Sequence, residues 1–236
     1  MNNILLFDII KKIDNFVKLA CINRPESHGY NHAVDVANNS FVIYENIHSF
    51  KIYHNNFGIL YTVAMLHDVC DHKYDSNKYN EMKELLMELY PSIYDIILDM
   101  IDSISYSKEN KRLIQNNLHP DSIEANNYWN KFNELTDIRN AVSDADKLLA
   151  LGLPGLLRCI QYTLESTPFI SYENLKLNVK NHCDEKLFKL IYFIRTQNVK
   201  KITKKYTDEL KLYLDIFLQT DNIHTFYNKT IGSGKT

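Results

Sequence analysis

The stretch VAMLHDVCDHKYD, residues 63–75, runs an apolar segment directly into a cluster of ionisable side chains. The preceding letters, ILYTVAML at 59–66, are apolar on most faces of a helix, so this helix is expected to lie inside the protein. His67 and Asp68 follow at once, and burying two ionisable groups together is costly unless they pair or bind something. A histidine satisfied by its neighbours in the core is the simpler explanation, so the choice depends on the rest of the chain.

Helix periodicity extends over almost the whole sequence. Apolar residues recur three or four positions apart, and no segment shows the alternation that is typical of strands. The six glycines and five prolines fall where helices would begin or stop. We therefore predict an all-α fold, a single helical bundle of about eight to ten helices over residues 1–220. Residues 221–236 are expected to form a C-terminal tail.

The composition excludes several classes of function. A net charge of −2 over 236 residues provides no general attraction to nucleic acid, so no nucleic-acid partner is expected. No apolar run approaches the roughly 20 residues that span a bilayer, so no membrane partner is expected either. The four cysteines are widely scattered and are interpreted as reduced thiols. We expect a soluble cytoplasmic protein and allow for a homodimer.

Two further segments carry residue types that bind metals. The segment SHGYNHAVDVANN at 27–39 contains His28 and His32, and VSDADKLLALG at 142–152 contains Asp144 and Asp146. Together with the His-Asp pair at 67–68, they provide imidazoles and carboxylates, a mixed set suited to Mn²⁺, Fe²⁺, Co²⁺, Ni²⁺ or Zn²⁺. The residue types alone do not choose between the two aspartates.

The ordered pattern H…HD…D on helices resembles that of the HD superfamily of metal-dependent phosphohydrolases, over roughly residues 20–200. The resemblance implies a divalent metal ion, for which Mn²⁺ is preferred and Mg²⁺, Co²⁺, Ni²⁺, Fe²⁺ or Zn²⁺ are alternatives. One ion is expected, because only two histidines, His72 and His119, lie between the HD pair and the last aspartate. The metal ligands that the resemblance implies are His32, His67, Asp68 and Asp146.

Four motifs in order are similar to those of the nucleotide pyrophosphohydrolase branch of this superfamily: LHDVCDHKYD, ILDMIDSISYSKEN, DADKLLALGLPGLLRCIQY and HCDEKLFKL. The resemblance implies hydrolysis of a nucleoside triphosphate to monophosphate and pyrophosphate by a metal-activated water. Asp68 and Asp71 are the implied catalytic residues, with Asp71 as the base that orients or deprotonates this water. The alternatives are a nucleotide phosphomonoesterase of the 5'-nucleotidase type and a non-catalytic nucleotide-binding HD module.

The substrate in this interpretation is a nucleotide or another small phosphorylated molecule, whose phosphates need cations. The residues expected to contact it are His28, Lys73, Lys108, Lys147 and Arg158. His182 and Lys186, in the last motif, are expected to have mostly structural roles. Cys183 occupies a position in that motif where the family usually has an aromatic residue.

Overall fold

The computed structural model of the protein describes residues 3–22, 24, 29–48, 54–69 and 77–232, and this part of the chain contains helices and no strand. The helices are α1 (Asn3–Ala20), α2 (Tyr30–Ile47), α3 (His54–Leu66), α4 (Asn77–Leu89), α5 (Tyr94–Ile101), α6 (Tyr106–Gln115), α7 (Ile123–Tyr128), α8 (Thr136–Leu149), α9 (Gly152–Ser166), α10 (Tyr172–Glu185), α11 (Gln197–Leu218) and α12 (Ile223–Thr230). Two 3₁₀ segments, Trp129–Leu135 and Leu187–Phe193, precede α8 and α11. The predicted all-α class is confirmed, and short helices such as α7 raise the number above the expected range.

Helix α3 lies at the centre of the first half of the molecule. Every residue from Thr62 to His67 is buried, as expected for a helix that is apolar on nearly all faces. It packs against α1, α2, α5 and α8, and α8 also packs along α2. The helix ends at Leu66, so His67 and Asp68 lie in the turn after it.

The apolar core is divided into two clusters. The larger one is built mainly from α1 to α8 and contains Trp129, which is fully buried. The smaller one joins α9, α10, α11 and α12 around Phe217. Helices α8 and α9 follow each other across the boundary between the clusters, and Gly152 at the start of α9 has a φ of +67°, which favours glycine.

Within the segment expected to be a tail, residues 223–230 form a helix that packs against the rest of the protein. Asn222 caps α12 by accepting a hydrogen bond from the backbone N–H of Thr225, and Phe226 is fully buried against Phe217 with 5.2 Å between ring centroids. The packed structure therefore continues past residue 220, because one aromatic side chain in this segment completes the second apolar cluster.

Among the helices of the described residues, none combines the length and the apolar character needed to cross a membrane.

Candidate metal centre and the adjoining cavity

Four side chains from distant parts of the sequence converge at one end of α3. His32 comes from the first turn of α2, His67 and Asp68 from the turn after α3, and Asp146 from the last turns of α8. Nε2 of His32 lies 3.4 Å from Oδ1 of Asp146, and Nε2 of His67 lies 3.8 Å from the same oxygen and 4.0 Å from Oδ2 of Asp68. The packing of α8 against both α2 and α3 brings these groups together.

These separations suit a shared cation. Two donor atoms about 2.1 Å from one ion lie roughly 3.0 to 3.4 Å apart at tetrahedral or octahedral angles. The observed spacings are only slightly wider, and the donor atoms of His32, His67 and Asp68 all lie within 4.8 Å of one another. Two imidazoles and two carboxylates therefore have the chemistry and the spacing to hold one divalent metal ion.

The tautomer of His67 is determined by its surroundings. Nδ1 lies 2.7 Å from the carbonyl oxygen of Ala64, which can only accept, so Nδ1 carries a hydrogen and the lone pair of the neutral ring is on Nε2. Nε2 is buried, and none of the described residues offers it a hydrogen bond. A buried acceptor without a partner is costly, whereas a histidine ligand typically donates its other N–H to a carbonyl. His67 is thus oriented as a metal ligand would be.

Charge and burial act in opposite directions on Asp146 and His32. Burial raises the pKa of the Asp146 carboxyl, but the hydrogen bond from His32 and the nearby His67 and Arg158 together hold it well below its usual range. Burial lowers the pKa of His32, more than Asp146 raises it, so the imidazole is neutral. An ionised Asp146 beside a neutral His32 imidazole is the protonation state that binds metals.

Arg158 of α9 also contacts His32. Its Nη1 donates to Nδ1 of His32 at 2.9 Å, which leaves the hydrogen of the neutral ring on Nε2, facing Asp146. Ligation of an ion through Nε2 requires the opposite tautomer, in which Nδ1 bears the hydrogen and cannot accept from the guanidinium. The position of Arg158 and the loading of the site are therefore linked through one imidazole.

The two aspartates that residue types alone do not separate have different surroundings, and Asp146, which the resemblance implies as the ligand, is the one beside the histidines. Asp144 is fully buried, and its carboxylate accepts hydrogen bonds from the backbone N–H groups of Arg195 and Thr196 at 2.8 and 2.7 Å. Residues two positions apart on a helix project about 200° from each other. Asp146 therefore faces the histidines, while Asp144 anchors the backbone before α11.

The backbone after α3 is held by a residue that the sequence had not singled out. Arg24 donates from Nη1 to the carbonyl oxygen of Asp68 at 3.0 Å and from Nη2 to that of Val69 at 2.6 Å. A cation at a helix C-terminus satisfies orphan carbonyls and interacts favourably with the helix dipole. No motif signals this contact, because 44 residues separate the partners and backbone carbonyls have no sequence signature.

A cavity of 340 Å³ opens beside the four convergent side chains. His67, Asp68 and Asp146 lie on its wall, as do cationic and aromatic side chains from the N-terminus of α6 and from α9 and α10. Those that could contact a ligand include Tyr106, Lys108, Arg158, Tyr162, His182 and Lys186. His182 and Lys186, for which the sequence had indicated structural roles, thus face the same space as the candidate metal ligands.

The predicted substrate contacts are placed very differently from one another. Arg158 and Lys108 line the cavity, and Nζ of Lys108 also pairs with Oδ1 of Asp102 at 2.8 Å. His28, Asp71 and Lys73 lie outside the described residues, so their predicted roles stay predictions.

Lys147 borders the cavity, but its ammonium group is used elsewhere. The side chain is only 1% exposed, and Nζ pairs with Oε2 of Glu109 at 2.7 Å and donates to the hydroxyl of Ser143. Glu109 also pairs with Arg139 and Arg195, which completes a buried charge cluster of these four ionisable residues. The expectation that Lys147 contacts the substrate is therefore corrected, because α8 directs it toward Glu109 and away from solvent.

No protein-family model and no curated protein matches the chain. Its fold is similar to that of solved bacterial structures at low identity. A Lactobacillus plantarum protein aligns with a TM-score of 0.64 and 20% identity over 89% of this chain and 95% of its own. YpgQ of Bacillus subtilis, solved in complex with ADP, aligns at 0.56 and 18% over 89% and 94%. Lin1889 of Listeria innocua aligns at 0.57 and 20% over 91% and 94%. Identities this low show a shared fold.

Proposed function

We propose that the chain is a metal-dependent phosphohydrolase of the HD superfamily that cleaves a phosphoanhydride bond in a nucleoside triphosphate, yielding the monophosphate and pyrophosphate. The observation that carries the proposal is the buried Nε2 of His67, which has no hydrogen-bond partner among the described residues and faces the carboxylates of Asp68 and Asp146. A core histidine satisfied by its neighbours would have paired both ring nitrogens.

The ligands of the ion in this proposal are His32, His67, Asp68 and Asp146, with Mn²⁺ as the preferred metal. When bound, a divalent ion provides a water of lowered pKa and neutralises charge on a phosphoryl oxygen. Asp68 and Asp146 would orient that water as well as hold the ion. The sequence resemblance also implies that Asp71 is the general base. This role remains a prediction, because Asp71 lies outside the described residues.

The charged side chains that line the cavity favour a substrate with several phosphates. Lys108, Arg158 and Lys186 provide cations along its wall, beyond the candidate ligands. Ligation of His32 through Nε2 would end its acceptance from Arg158, and the guanidinium would then be available to a phosphate oxygen. Tyr106 and Tyr162 offer aromatic surface to a base. The ADP complex of the similarly folded YpgQ supports a nucleotide as the substrate class.

The decisive experiment is a turnover assay on a panel of nucleoside tri-, di- and monophosphates with Mn²⁺, in which pyrophosphate and inorganic phosphate are measured separately. Pyrophosphate release from triphosphates is expected. Asp146→Asn should reduce kcat/KM by about a hundredfold or more, because it weakens a ligand of the ion that activates the water. Release of inorganic phosphate from monophosphates alone would favour the phosphomonoesterase alternative.

A matched control makes the same chemical change elsewhere. Asp99→Asn removes a carboxylate of α5 that accepts hydrogen bonds from Arg112 and Lys131, and it should leave turnover unchanged. Elemental analysis of the purified chain should find about one transition-metal ion, which is lost in His67→Ala. An ion retained by His67→Ala, or the absence of wild-type turnover above Asp146→Asn on every nucleotide, would refute the proposal; nucleotide binding without turnover would indicate the non-catalytic module.

A further inference from the structure

Two cysteines from different helices meet at the wall of the cavity. Cys159 of α9 is half-buried and lines the cavity, and Cys183 of α10 is fully buried in the second apolar cluster. Helices α9 and α10 pack against each other, and Cys159 packs against the cluster that contains Cys183. The side chains of Cys159 and Cys183 are close enough to influence each other's ionisation. One thiol is thus open to the cavity, and its neighbour is enclosed behind it.

The surroundings make the two thiols chemically unequal. The side chain of Cys183, together with Lys186 and Arg158, lowers the pKa of Cys159 against the effect of burial. The side chain of Cys159, together with burial, raises the pKa of Cys183. Oxidants react with thiolates, so an accessible thiol of lowered pKa beside cations reacts first and an adjacent thiol resolves the product.

We propose that Cys159 and Cys183 form a reversible oxidative modification site whose reactant is a hydroperoxide. The Cys159 thiolate attacks one peroxide oxygen, the O–O bond breaks, and sulfenic acid and hydroxide (or alkoxide) form. The Cys183 sulfur then attacks the sulfenic sulfur, an S–S bond forms, and hydroxide leaves and takes up the thiol proton to become water. For hydrogen peroxide, two thiols lose two electrons and two water molecules are produced. An external dithiol reverses the change by exchange.

The disulfide ties α9 to α10 at the cavity wall. Cys159 adjoins Arg158, which contacts His32, and Cys183 adjoins the cavity residue His182. A covalent link at this point displaces the groups that grip the substrate, so the oxidised chain turns over about tenfold more slowly than the reduced chain. This consequence rests on the proposed function, whereas formation of the disulfide does not.

The chemical step is tested on the full chain, first reduced with dithiothreitol and then treated with one equivalent of hydrogen peroxide. Peptide mapping by mass spectrometry should find a Cys159–Cys183 linked peptide that has lost two hydrogens and disappears with fresh dithiothreitol. In Cys183→Ser, dimedone should label Cys159 as the sulfenic acid; if this variant fails to fold, brief dimedone trapping in the wild type serves instead. Cys21→Ser is the control and should retain the linked peptide.

A disulfide that pairs Cys21 or Cys70, or recovery of Cys159 and Cys183 as free thiols, would overturn the proposed site. Turnover is then compared between oxidised and reduced forms of each protein, and Cys159→Ser should be insensitive to peroxide. Equal peroxide inhibition of wild type and Cys159→Ser would overturn the effect on turnover. If the linked peptide forms but the protein shows no turnover, the modification site is supported and the proposed hydrolase activity is contradicted. If the protein turns over a nucleotide but the linked peptide does not form, the hydrolase activity is supported and the modification site is contradicted.

Discussion

The guanidinium group of Arg24 binds the backbone at Asp68, one of the candidate metal ligands. Arg24 donates to the carbonyl oxygens of Asp68 and Val69, just after α3 ends. Side chains that orient metal ligands from outside the coordination sphere commonly change metal affinity by about 10- to 100-fold. Arg24 is therefore a positioning residue for the candidate ligand, although it has no place in the sequence pattern.

Arg24→Met, which keeps much of the side-chain length and removes the donors, should weaken Mn²⁺ binding about tenfold. Isothermal titration of metal-free protein with Mn²⁺ would measure this. Arg112→Met is the matched control, since Arg112 pairs with Asp99 of α5 and with Asp102 just after it, and neither is a candidate ligand. Equal metal affinity in the two variants, both checked for folding by thermal melting, would contradict the positioning role of Arg24.

At this scale, the sequence predicted residue types better than residue partners. His32, His67, Asp68 and Asp146 were predicted as a set, and they do converge. Lys147 was predicted to contact the substrate because it lies in a matching motif, but its ammonium group pairs with Glu109. Motif position does not report the direction of a flexible side chain, and the carboxylate that captures Lys147 is 38 residues earlier in the chain.

Helices α8 and α9 meet at a junction with very little space. A Cβ atom at Gly155 would lie 2.2 Å from the backbone carbon and oxygen of Ala150, and neither atom can move without shifting the end of α8. Asp146 lies in α8 shortly before this junction, and Arg158 lies in α9 shortly after it. Close backbone approach, and not chain flexibility, explains why glycine occupies this position.

Gly155→Ala should therefore lower the free energy of unfolding by about 3 kcal/mol, the cost of overpacking against rigid backbone. Urea denaturation followed by circular dichroism would measure the change. Gly232→Ala offers a direct comparison, because a Cβ there meets nothing within 4 Å. If both alanine variants unfold at the same urea concentration, the close approach of α8 and α9 is not a constraint.

The sequence predicted helices well and their ends less well. Apolar residues recur at helical spacing throughout 172–197, but α10 ends at Glu185 and a 3₁₀ segment follows from Leu187. Lys186, between them, has φ −127° and ψ −62°, which is not helical. Apolar spacing is similar in α and 3₁₀ turns, so this break has no signal in the pattern. It nevertheless determines where Lys186 meets the cavity.

The buried charge cluster connects three parts of the whole molecule. Glu109 from α6 pairs with Arg139 and Lys147 of α8 and with Arg195 before α11, and all four residues are buried. Burial raises the pKa of Glu109, but the three cations outweigh this effect and lower it to about 2. Among the described residues, Glu109 is the carboxylate that forms ion pairs with all three of these buried cations. Removing it would leave the cations without that partner, which is costly.

The lowered pKa of Glu109 predicts a definite dependence of stability on pH. Its contribution is fully present above its unfolded pKa of 4.5 and is lost as the pH falls from there to about 2, because the unfolded chain takes up the proton first. The loss amounts to about 3 kcal/mol for this group. Urea unfolding at a series of pH values should therefore show a steeper decline in the wild type than in Glu109→Gln.

Glu84→Gln, at an exposed position of α4, provides the reference for a carboxylate without buried partners. It should follow the wild-type pH curve. A wild-type curve that matches that of Glu109→Gln between pH 4.5 and 2 would show that Glu109 does not remain ionised in the folded chain at low pH.

The converging ligands have a further consequence for the chain as a polymer. His32 and Asp146 are 114 positions apart in the sequence, so an ion that binds both closes a very long loop of chain. Most of the entropy lost in closing that loop is already lost on folding, so an ion that binds only the folded state acts as a removable crosslink. Whatever chemistry it supports, such an ion would also fasten α2, α3 and α8 together, and chelation would then loosen the larger core before it affects the smaller one.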